Sequence, residues 1–202
     1  MPNKNINTSD YWNARYSNVN INPYKLVRSA HKNLYELLCT WVFNIKHKYV
    51  LDFGAGCGPI PFLLSRRGFL FGRYVAFDFS QKGLEIAKKY CDSIETSIGR
   101  VDDIDIIERN KWNNSFDLVI CAEVLEHIRD YQIVINNMVR ALKPEGSMLI
   151  SIPAHRIKIE SHINNFKIKD FKNELIDNFK LEIFDDEIVD RWFIIVAKRR
   201  KE

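Results

Sequence analysis

The sequence of 202 residues holds four cysteines, Cys39, Cys57, Cys91 and Cys121, with no Cys-x-x-Cys pair among them. Their wide spacing and apolar surroundings suit reduced, buried thiols, and so a cytoplasmic protein. No apolar run approaches the roughly 20 residues that cross a bilayer, and the polar start MPNKNINTSD lacks a signal-peptide pattern. A soluble, unexported chain without membrane contact is expected. An excess of one charge is also missing: 30 basic and 26 acidic residues leave +4, which makes no case for nucleic acid. The dense basic cluster AKRRKE reads as a solvated end. With no internal repeat and no linker, 46% hydrophobic content over this length fits one well-buried core, a single domain over residues 1–202.

Glycine is scarce too, eight in all, yet three fall at alternate positions in YVLDFGAGCGPIPF, as Gly54, Gly56 and Gly58. The run YVLDF before them reads as a buried strand. A helix is expected from Pro59 to about Arg66, with proline in the first turn where its missing N–H costs little. YVAFDF is a second strand, Gln81 to Tyr90 a helix, and TSIGRV a short third strand. FDLVICAEV is too continuously apolar for a half-exposed strand and should be buried on both faces. A helix over Tyr131–Leu142 leads through KPEG into a strand, SMLISIP, and another helix spans Asp170 to Phe179. LEIFDDEIVDRWFIIVAK reads as an antiparallel hairpin around an acidic turn. Before all these, apolar residues at Leu34, Leu37, Leu38, Trp41, Val42 and Ile45 keep helical spacing. The first 25 residues show little periodicity and read as an arm over the body or a frayed end.

Repeated strand-helix units closed by a hairpin give an open, mostly parallel α/β sheet with helices on both faces. Ligands bind such sheets outside the carboxyl ends of the strands, where the glycines fall. A dinucleotide site needs G-x-G-x-x-G, and here Pro59 stands at the third glycine's place. VLDFGAGCG instead resembles the first motif of class I S-adenosylmethionine-dependent methyltransferases. VAFDFSQKGLEIAKK, GRVDDI, FDLVICAEVLEHI and ALKPEGSMLISIP are similar to the family's following segments, in order, over about residues 48–153. The last departs with Glu145 where glycine is usual, a change expected to alter only a solvent-side turn.

The resemblance implies a Rossmann-like fold with a seven-stranded, mostly parallel sheet ending in the hairpin, and S-adenosylmethionine as cofactor. Gly54, Gly56 and Gly58 would let the loop pass beside it, Asp52 would hold its amino-acid end, and Asp78 would accept from the ribose hydroxyls. Asp103, or Asp102 in the alternative register, would meet the adenine amino group. Phe79, Cys121 and Glu123 complete the expected cofactor-binding set. YWNARY, with Trp12 and Tyr16, looks like the aromatic arm that covers the cofactor in relatives, or else a helix packed on the body.

Because the sulfonium methyl is already activated, the protein has mainly to align a nucleophile and exclude water. His127 is the candidate base, since an ordinary histidine titrates near working pH, and His162 in ESHINNF is the second candidate catalytic residue. In ubiquinone-biosynthesis O-methyltransferases and small-RNA 2′-O-methyltransferases, an E-x-x-E-H segment like EVLEH is associated with a divalent metal. Carried over, Glu123, Glu126, His127 and His162 would form a ligand set for Mg, Mn or Zn. The segment is also widespread in members needing no metal, and His127 acting without one is preferred. His31 and His47 are expected on the surface or in helix packing, and His155 is unassigned. The reading is methyl transfer to an oxygen, or less so a nitrogen, of a small metabolite or glycan precursor. The rivals are an RNA 2′-O-methyltransferase with a metal at E-x-x-E-H and a non-catalytic cofactor-binding partner subunit. The acceptor and the oligomeric state stay open.

Overall fold

A computed structural model describes residues 6–18, 21–44, 49–155 and 159–200. Three helices come first: α1 (Ser9–Asn18), α2 (Pro23–Leu26) and α3 (Lys32–Asn44). Strands and helices then alternate as β1 (Tyr49–Phe53), α4 (Pro59–Arg66), β2 (Arg73–Asp78), α5 (Gln81–Tyr90), β3 (Glu95–Ile98), α6 (Ile106–Arg109), β4 (Phe116–Ala122), α7 (Tyr131–Ala141) and β5 (Leu142–Pro153). The chain ends with α8 (Ile168–Asp177), β6 (Leu181–Val189) and β7 (Trp192–Arg199). The seven strands form one sheet in the order β3-β2-β1-β4-β5-β7-β6, with β7 antiparallel to both its neighbours and the other pairs parallel.

Alternation along the strands feeds two apolar layers. In β4, Val119 and Cys121 enter one layer while Leu118 and Ile120 enter the other, all fully buried. That is why its sequence is continuously apolar: each face needs every second residue. A leucine or isoleucine so buried contributes about 1.5–3 kcal/mol over its exposed form. On α7, Val134, Ile135, Met138 and Ala141 fall at helical spacing and close the first layer. On α5, Ser80 caps the first turn by accepting from Gly83 N at 3.0 Å.

The expected elements are present, with several differences, among them helix α6, which no periodicity announced, and β3, which ends at Ile98 before the expected GRV. The arm holds two helices, α1 and α2, and α1 docks through polar contacts that apolar periodicity does not register. Asn13 Oδ1 accepts from Ser80 Oγ at 2.7 Å and from Lys82 N at 3.1 Å. Strand β5 begins at Leu142 and runs through KPEG, where Glu145 takes φ +62°, the left-handed region that favours glycine. Helix α8 lies two residues earlier than its apolar spacing suggests. The hairpin turns at Asp190–Arg191, so Asp185 and Asp186 lie within β6 beside a register shift.

Strand order reverses between β1 and β4, with β2 beyond one and β5 beyond the other. The loops leaving these two strands therefore diverge to opposite faces and leave a crevice at the carboxyl ends.

Candidate active site

That crevice is a cavity of about 310 Å³. Its floor at one end is the glycine loop after β1. Gly54 N and Ala55 N both donate to Phe77 O, at 2.8 and 3.0 Å, tying the loop to the end of β2. Gly54 has φ +97° and Gly56 φ +53°. A Cβ on Gly54 would stand 2.4 Å from Val124 Cγ2, and one on Gly56 2.5 Å from the Tyr16 hydroxyl, so neither place admits a side chain. Gly58 acts differently from expectation. It faces α5, where a Cβ would come 2.7 Å from that of Ala87, and it is absent from the cavity wall.

Asp78 ends β2 and reaches the cavity with a nearly buried carboxylate. Its Oδ2 accepts from Gly56 N at 2.9 Å and its Oδ1 from Ser80 N at 2.7 Å. Burial pushes its pKa up to about 6, against the pull of those amides. Asp52 also lines the cavity, and its Oδ2 accepts from the Tyr74 hydroxyl at 2.7 Å. Burial pushes this acid up to about 7. Phe79 and Val101 continue the wall. Asp102 and Asp103 do not line it: Asp102 pairs with Arg100 at 2.8 Å and Asp103 with Arg109 at 2.7 Å. Cys121 is buried in the layer of Leu51 and Phe53, away from the cavity wall.

The opposite end is built after β4. Glu123 takes φ +58°, and Leu125–His127 form a single 3₁₀ turn. Glu123 accepts from Ser151 Oγ at 3.3 Å and from Trp192 Nε1. Glu126 is wholly buried, and among the described residues neither carboxylate oxygen has a hydrogen-bond partner. Burial, then the charge of Glu123, raises its pKa well above the usual carboxylate range. His127 Nδ1 lies 2.9 Å from Ser161 O. A carbonyl only accepts, so Nδ1 carries the proton and Nε2 keeps its lone pair, 3.9 Å from Glu126 Oε1. Burial lowers the pKa of His127 to about 4.

His162 stands beside it, the ring centroids 4.9 Å apart. One donor atom each from Glu126, His127 and His162 lie within 4.8 Å of one another. Glu123 stays outside this group, held by Trp192 and Ser151. The loop carrying His162 is strapped to the 3₁₀ turn: Ile163 N donates to Glu126 O at 2.8 Å, and Asn164 Nδ2 to Leu125 O at 2.9 Å. Asn7 Nδ2 bonds both His127 O and Ser161 O, and the Trp12 ring meets His127 edge-on at 5.3 Å. The arm thus roofs the cavity.

A matching family model spans residues 25–185 and describes a methyltransferase domain. The chain belongs to the class I S-adenosylmethionine-dependent methyltransferases. A ubiquinone biosynthesis O-methyltransferase of Rickettsia canadensis is 33% identical over 131 residues, 65% of this chain and 51% of that one. A methyltransferase solved with the Haloferax volcanii Trm112 methyltransferase activator superposes with TM-score 0.75 at 13% identity, over 94% of this chain and 98% of that one. An O-methyltransferase family protein from Burkholderia thailandensis gives 0.68 at 15% identity, over 95% and 59%. The methyltransferase spans about half the length of the curated relatives it matches.

Several wall residues of this methyltransferase carried no sequence signal. Tyr74, behind the wall near the start of β2, reads as core, although its hydroxyl serves Asp52, which does line the cavity. Trp192 reads as hairpin packing, although its indole N–H serves Glu123. His31, expected on the surface or in helix packing, lines the cavity with its ring 4.7 Å from that of Trp192. His155 is exposed and absent from the wall, and His47 lies outside the described residues.

Proposed function

We propose that this chain transfers the methyl group of S-adenosylmethionine to an oxygen of a small acceptor. The observation that carries the reading is a single cavity with two unlike ends. One is a backbone cradle beside Asp78, and the other is the Glu126, His127 and His162 cluster. The cradle fits the cofactor on its own geometry. Side chains are barred from Gly54 and Gly56, and a carboxylate already aligned by two amides has lone pairs left for ribose hydroxyls. The cavity volume falls at the low end of the roughly 300–1,000 Å³ usual for small-ligand sites. Bound there, S-adenosylmethionine supplies an electrophilic methyl group on a sulfonium.

The chain's own groups then align the acceptor and take its proton. His127 is neutral at working pH, and its Nε2 lone pair can receive a proton from an acceptor hydroxyl. Ser161 O, bonded to Nδ1, holds the ring in that tautomer. His162 forms the adjoining wall. Oxygen is preferred as the acceptor atom because the relatives are O-methyltransferases by name.

A specific observation favours a second version of the same chemistry. A wholly buried carboxylate without a donor, next to two imidazoles, is a donor set suited to a divalent cation. Glu126, His127 and His162 would hold it, and it would lower the pKa of a bound hydroxyl. Both versions are tested by following label from the cofactor into a panel of phenols and alcohols, with and without chelator. Turnover abolished by His127→Ala with cofactor binding retained supports the reading. Turnover that survives His127→Ala and His162→Ala removes both residues from the chemistry, and cofactor binding without transfer to any member leaves a binding subunit.

A further inference from the structure

Arg67, Arg73, Arg100, Arg109 and Arg140 each lie against a carboxylate. Two arginines on the cavity wall, Arg15 and Arg191, do not; among the described residues neither has an acidic partner. Each guanidinium instead lies over an indole, Arg15 5.6 Å from the centroid of Trp12 and Arg191 5.5 Å from that of Trp192. The indole faces attract the cations, and among the described residues no acid takes up their N–H donors.

We infer that the acceptor carries an anionic group, a carboxylate or a phosphate, received by Arg15 and Arg191 at the mouth of the site. This rests on the methyl-transfer reading above and adds the charge of the substrate. Both cations flank the reacting end of the cavity. Arg15 lies in the last turn of α1, one turn beyond the Trp12 ring that meets His127, and its charge disfavours a protonated His127. Arg191 lies in the β6–β7 turn, next to the Trp192 whose indole holds Glu123.

The mounting is rigid on both sides. Arg191 O accepts from Ala154 N at 2.8 Å, and Asp190 Oδ2 accepts from Asn33 Nδ2 at 3.1 Å. Asn13 anchors α1 to the start of α5. An anion here meets two guanidinium groups carried on anchored backbone.

The test measures binding to wild-type protein saturated with S-adenosylhomocysteine, using matched pairs: 3,4-dihydroxybenzoate against 3,4-dihydroxybenzamide, and phenyl phosphate against phenol. Calorimetry should show the anionic member of at least one pair binding about ten-fold tighter than its neutral partner. Which pair shows the larger ratio tells carboxylate from phosphate. Arg191→Gln and Arg15→Gln should each shrink that ratio, and the double variant should erase it, with melting temperature and S-adenosylhomocysteine affinity unchanged. Equal affinity within both pairs, no saturable binding of either anion, or a ratio that survives the double variant overturns the inference. Failure of the wild type to bind S-adenosylhomocysteine would bring down the methyl-transfer reading itself, and this inference with it.

Discussion

Asp78 and Glu126 are both buried carboxylates on one cavity wall, and they are treated in opposite ways. Asp78 has two backbone amides on its oxygens, supplied by the glycine loop and by the start of α5. Among the described residues, no hydrogen-bond partner reaches either carboxylate oxygen of Glu126. A carboxylate satisfied by the main chain belongs to a site finished on folding. One left orphaned among two imidazoles costs free energy until something binds, because buried polar groups without partners are destabilising. On the proposed reading, the end that holds the cofactor is built in advance, while the end that receives the acceptor is completed by what enters it.

The sharpest way to break this contrast is Asp78→Ala. Loss of a charge-assisted acceptor at the ribose should weaken S-adenosylhomocysteine binding about 100-fold, or roughly 3 kcal/mol, in a calorimetric titration. Retained affinity would mean that the finished end is elsewhere. Glu126→Met, at the unfinished end, should do the reverse to stability. Removing an orphaned acid should raise the metal-free unfolding free energy by about 1–2 kcal/mol in urea titrations; methyl transfer is lost with it in the cation version and kept where His127 acts without a metal. Added Mn should raise the melting temperature of the wild type but not of this variant; a destabilised Glu126→Met would show that the acid is satisfied after all.

Acidity separates the ends more gently. If ribose hydroxyls donate to ionised Asp78 as proposed, the contact opposes burial, which raises the pKa of the empty site to about 6. Binding therefore favours loss of its proton. Through Asp78 alone, read in Asp52→Asn, affinity for S-adenosylhomocysteine should rise about ten-fold from pH 5 to pH 7 and then level, with proton release near pH 6 seen as a buffer-dependent binding enthalpy; in the wild type the rise is larger and continues through pH 7. Asp52, pushed up to about 7, acts in the same direction, and Asp52→Asn separates the two contributions. The smallest effect is expected from Tyr74→Phe. Deleting the donor that serves Asp52 should cost about 1 kcal/mol of stability by thermal melting. An unchanged melting temperature would show that the 2.7 Å bond adds nothing.

Much of the cofactor end was legible because its determinants are local. Three glycines must stand together where the chain turns tightly, and an acid at the end of β2 follows from the strand's own length. The adenine-side acids were less legible, since Asp102 and Asp103 sit in a polar loop where nothing local tells a ligand contact from an arginine pair. At the other end, EVLEH pointed to a segment that lines the cavity but not to how its two acids are placed. Glu123 and Glu126 are three apart, yet the positive φ at Glu123 sends one carboxylate to Trp192 and leaves the other by His127.

The order of strands and helices, the crevice between β1 and β4 and the glycine cradle follow from the chain's own pattern, because periodicity and backbone permissiveness are properties of neighbouring residues. Which acid is satisfied and which is orphaned, the tautomer of His127, and the meeting of Arg15 with Arg191 around one cavity were decided only by tertiary contacts. Those contacts join residues far apart in the chain, such as Trp192 with Glu123 and Asn7 with Ser161, and no local spacing encodes the side of the sheet on which they meet.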